Sequence, residues 1–80
     1  MNREEAVNVI KEIFALCHRV DGRSIKLMPS DTNDLLSKGC QIHIQTNGDK
    51  VLEICLKSIA DSNSLAVHKD GDLLIMYKPQ

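Results

Sequence analysis

The chain has 80 residues, 42% of them hydrophobic, with 10 Lys and Arg against 11 Asp and Glu for a formal net charge of −1. That length fits one domain, residues 1–80, around a single modest core. Basic residues scattered from Arg3 to Lys78 leave no electrostatic footprint for nucleic acid or anionic lipid, and one Phe, one Tyr and no Trp offer little surface for stacking bases or sugars.

The first residues, Met1-Asn2-Arg3-Glu4-Glu5, are acidic where a secretory signal would be basic and then apolar. Asn2 and Glu5 instead form a capping-box pattern that starts a helix. Ala6, Ile10, Ile13, Phe14 and Cys17 recur at three- and four-residue spacing as its buried stripe, flanked by Val7, Val9, Leu16 and Val20. Asp21-Gly22 is its expected end, and Arg19, Arg23 and Lys26, the densest basic group, complement the helix dipole there. Ile25 to Met28 is a short strand closed by Pro29. Residues 29–39 form the one long connection, rich in turn formers, with Leu35-Leu36 able to plug a helical turn into the core.

Cys40 to Thr46 alternates cleanly, Cys40, Ile42 and Ile44 on one side and Gln41, His43 and Gln45 on the other, as in a sheet with one open face. Asn47-Gly48-Asp49 breaks that strand, and Asp49 caps a second helix with Val51, Leu52, Cys55, Leu56 and Ile59 inward. Lys50, Glu53, Lys57 and Asp61 are expected to stay wet, Glu53 and Lys57 pairing four residues apart. Ser62-Asn63-Ser64 ends the helix. In the final hairpin an Asp70-Gly71 turn would pair Val67 with Leu74 and Leu65 with Met76 on one face. Ala66, His68, Leu73, Ile75 and Tyr77 then fill the other. The expected fold class is α+β: a two-layer sandwich in αββαββ order, with a four-stranded mixed sheet and two helices on one face. A right-handed connection through the second helix would make the second and third strands parallel.

No motif points to catalysis. Three His and three Cys invite a metal reading, but Cys40 and His43, three apart in a strand, point to opposite faces, and no Cys-x-x-Cys occurs. No metal or cofactor is expected. Cys17, Cys40 and Cys55 all fall on inward stripes, where a thiol behaves as a small hydrophobe. An odd number of cysteines fits a reducing compartment, so the protein is expected to be cytoplasmic, with no membrane association. Cys17, beside His18 and Arg19, is the one cysteine with cationic neighbours in sequence and so the candidate reactive thiol. The second half, a strand, a helix and a hairpin, is broadly similar to small sulfur-carrier proteins of the TusA-like kind. Their helix-initiating Cys-Pro-x-Pro has no counterpart here, since neither proline follows a cysteine, so the likeness is one of shape.

The leading expectation is therefore a non-catalytic interaction domain that associates with itself, as a homodimer, or with another protein through its open sheet face. His43, Ala66, His68, Leu73, Ile75 and Tyr77 would form that face, the histidines lending it pH sensitivity. A second reading is a small thiol-dependent or sulfur-handling accessory enzyme. A third is a sensor module whose open face receives a small ligand or a peptide.

Overall fold

The computed structural model describes residues 1–29 and 39–79, so the Leu35-Leu36 turn lies outside the described residues. Helix α1 (Arg3–Leu16) begins with the expected capping box: the Glu5 amide donates to Asn2 Oδ1 at 2.7 Å, and the Asn2 amide donates to Glu5 Oε1 at 3.3 Å. Two amides that a helix start would leave unpaired are thereby satisfied. Ala6, Val9 and Ile13 face the core.

Helix α1 stops at Leu16, short of Asp21-Gly22, and two tethers explain why. Cys17, the C-cap, is disulfide-bonded to Cys55, and Arg19 Nε donates to Asp49 Oδ2 at 2.6 Å. Both partners belong to helix α2 (Lys50–Ser62) or its cap. In a continuing helix Arg19 would stand about 200° around the axis from Cys17, and the two could not reach one neighbour. The chain turns instead, the Val20 amide donating to the Cys17 carbonyl at 3.2 Å. A short 3-10 turn (Gly22–Ser24), capped by Asp21, then leads into strand β1 (Ile25–Met28).

Strands β2 (Gln41–Gln45), β3 (Ala66–Asp70) and β4 (Leu73–Tyr77) complete a four-stranded sheet ordered β1-β2-β4-β3. Every neighbouring pair is antiparallel, which corrects the expected mixed sheet. Strands β2 and β3 do run in the same direction, but β4 folds back from β3 through a tight turn and inserts between them. The turn is Gly71-Asp72, with Gly71 at φ +60°, so Val67 lies opposite Met76 where Leu74 was expected. Because the displacement is by two residues, no side chain changes face.

Both helices cover the face bearing Ile42, Ile44, Leu74 and Met76, each fully buried and clustered with Ile13 of α1 and Leu56 of α2. The class is thus α+β, two helices against a four-stranded antiparallel sheet. Three helical positions differ from the periodicity argument: Phe14 and Val51, expected inward, are 44% and 62% exposed, and Glu53, expected wet, is 8% exposed. The cause at α2 is polar. Lys69, on the inner face of β3 opposite Leu74, places Nζ 2.8 Å from Glu53 Oε1, and the Thr46 hydroxyl lies 3.2 Å from the same oxygen. That hydroxyl is also 3.1 Å from the Asp72 carbonyl, so its single proton serves two acceptors. Lys69, and not Lys57, is the partner of Glu53.

Candidate interaction face

Side chains alternate along each strand, so the register decides which residues share the sheet face turned away from the helices. Lys26, His43, Ile75 and His68 form one row across the four strands. Gln45, Leu73 and Asp70 form a second, and Tyr77 stands beside Ala66 in a third. The structure therefore brings His43, Ala66, His68, Leu73, Ile75 and Tyr77 onto a single face. The central strand β4 supplies its apolar stripe, with Leu73, Ile75 and Tyr77 half-buried, while His68 at the β3 edge is exposed.

Strand β1 extends the face beyond what the hairpin suggested, adding Lys26 and the 37%-exposed Met28. The alternation Ile25-Lys26-Leu27-Met28 carries that signal, since Ile25 and Leu27 pack on the core. A depression of about 270 Å³ lies on this side of the face, lined by Met28 and Leu73 together with Arg23, Lys26, His43 and Gln45. A larger one, about 330 Å³, surrounds the N-cap of α1, where Asn2 and Glu5 are occupied by capping and Lys78 approaches Glu5 at 3.7 Å.

His43 Nε2 lies 2.8 Å from Gln41 Oε1, so with the amide oriented this way that nitrogen carries the proton. Partial burial holds the His43 pKa below its ordinary value, favouring the neutral ring. No carboxylate sits in its row or on the strands beside it, since Asp70 is on β3 with β4 between.

The reactive-thiol expectation is corrected by the disulfide, because Cys17 is bonded to Cys55 and Cys40 is the free cysteine. Their shared inward stripes signalled proximity, although periodicity alone does not distinguish packing from bonding. Among the described residues, no group of three His, Cys, Asp or Glu side chains is placed to hold a metal ion. No helix among them is long and apolar enough to cross a membrane. A second apolar surface went unread in the sequence: Leu16, Val51 and Ile54, at 59%, 62% and 69% exposure, lie on the helical layer. Comparison with family models, curated proteins and solved structures found no match.

Proposed function

We propose that this chain is a non-catalytic, cytoplasmic protein-interaction domain that pairs with a second copy of itself through the open sheet face. The observation that carries the reading is the stripe Leu73, Ile75 and Tyr77 on a central strand whose opposite face already holds the core residues Leu74 and Met76. Fully burying an exposed side chain of this kind contributes about 1.5–3 kcal/mol, and completing the burial of these half-buried ones supplies part of that before the costs of association. A two-fold axis parallel to the strands lays β1 of one copy over β3 of the other, with Lys26 over the β3 residue of its own row, His68. A self-complementary arrangement of this kind is what two-fold assemblies require.

The size of the face sets the expected strength. Four strands about 4.8 Å apart and five residues about 3.4 Å long project onto roughly 300 Å². A standard interface takes about 800 Å² per partner, so a weak, concentration-dependent dimer is expected. Light scattering on size-exclusion fractions should show mass rising from 8.9 kDa toward twice that value as concentration increases. Ile75→Asp should remain folded and hold the monomer mass throughout. If Ile75→Asp assembles as the wild type does, or the wild type is monomeric at every concentration, the sheet face is not the site of self-association.

A further inference from the structure

Both half-cystines line one groove of about 240 Å³ between the end of α1 and the start of α2, on the layer opposite the sheet face. Leu16, Val51 and Leu52 supply apolar walls, and the Arg19–Asp49 ion pair sits at its rim. The two residues differ in exposure: Cys17 is 3% exposed, whereas Cys55 is partly exposed. Beyond the bond, Ala6, Val9 and Ile13 of α1 and Leu52, Leu56 and Ile59 of α2 belong to one buried cluster that joins the two helices. Bonded Cys17 begins the turn after Leu16 that brings Arg19 to Asp49.

We propose that the Cys17–Cys55 disulfide is a reversible clasp, opened by a dithiol attacking through this groove at Cys55, whose reduction frees the turn at residues 17–20 while the sheet core stays folded. The thiolate of the dithiol forms a bond to Cys55 Sγ as the Cys17–Cys55 bond breaks. Cys17 leaves as thiolate and takes a proton from water. The second thiol of the reagent then attacks the mixed disulfide, releasing Cys55 thiolate; the dithiol becomes a disulfide and two electrons have passed to the protein. Access is among the factors that decide which sulfur is attacked. The inference is independent of the pairing proposed for the sheet, which uses the other layer.

The oxidised full chain is treated with dithiothreitol under native conditions, quenched with N-ethylmaleimide and weighed. Labels on Cys17 and Cys55 should appear beside the one on Cys40, at a rate that rises tenfold for a tenfold increase in dithiothreitol. Amide exchange should quicken at residues 17–20 and stay slow in β2 and β4. With glutathione as a monothiol, the adduct should lie on Cys55 and the maleimide on Cys17. A reduction rate that ignores thiol concentration and tracks global unfolding overturns the proposal, as does an adduct on Cys17. The double variant Cys17→Ser, Cys55→Ser gives an independent reading: it should fold with an intact sheet, and failure to fold marks the bond as a structural brace and defeats the idea.

Discussion

Strand β4 presents two apolar faces that differ in what they touch. Leu74 and Met76 are fully buried beneath the helices, while Leu73, Ile75 and Tyr77 are half-buried on the side away from them. The same residue types thus serve folding on one face and are free to serve association on the other. Substitution separates the roles. Leu74→Ala removes side-chain atoms that the surrounding core cannot fully replace and should lower unfolding free energy by about 2–5 kcal/mol in denaturant titration. Such a loss is a large part of the stability of a small domain. A loss under 1 kcal/mol would mean that the inner face is not the core.

On the outer face, Ile75→Asp should cost the monomer only about 1 kcal/mol, the span of strand propensities, while abolishing the dimer. A large stability loss without a change in mass would erase the contrast and make Ile75 a core residue.

The contrast between the faces was readable from alternation, because a two-residue period assigns faces whatever the register. Hence the hairpin residues reached their expected sides although the turn lay at Gly71-Asp72 and not Asp70-Gly71. The sheet order was not readable in the same way, since local pattern does not say which edge a hairpin joins. Helix α2 shows a different limit. Its spacing fits stripes led by either Val51 or Glu53, and the choice falls to Thr46 and Lys69, distant residues that together accommodate a carboxylate. The outer-face residues were named from the sequence, while the additions from β1 and the Cys17–Cys55 bond needed tertiary placement.

Acid should distinguish the faces at two separate pH ranges. On the outer face, burial within the folded monomer lowers the His43 pKa, so the unfolded chain, with an ordinary value of about 6.5, takes up its proton first. Stability should therefore weaken as pH falls below about 6.5, with Lys26, the row neighbour on β1, adding repulsion to the charged ring. His43→Gln should remove this dependence. On the inner face, the hydrogen bond from Lys69 leads the causes that hold the Glu53 carboxyl below its usual range, against a smaller desolvation effect. Its contribution is complete above the ordinary Glu value of about 4.3 and is lost as pH falls through the folded value. Glu53→Gln should lower Tm at pH 7 and have less effect at pH 3. An equal loss at both pH values would show that the carboxylate's charge is not what stabilises its position.

The smallest expected effect concerns the turn that keeps the two faces apart. Gly71 adopts φ +60° with open space where a Cβ would stand, so Gly71→Ala introduces backbone strain without a clash. The left-handed conformation costs an L-residue about 1–2 kcal/mol, offset in part by the lower chain entropy of unfolded alanine. Tm should fall modestly, with the dimer mass unchanged, because the pairing of Asp70 with Leu73 and the cross-strand rows beyond it hold the register. A slip of one residue would instead carry Leu73, Ile75 and Tyr77 to the helical side and Leu74 and Met76 to the outside. Amide exchange and cross-strand contacts by NMR separate the outcomes: retention of the Val67–Met76 pair means that side-chain burial specifies the faces, and its loss means that the glycine turn does.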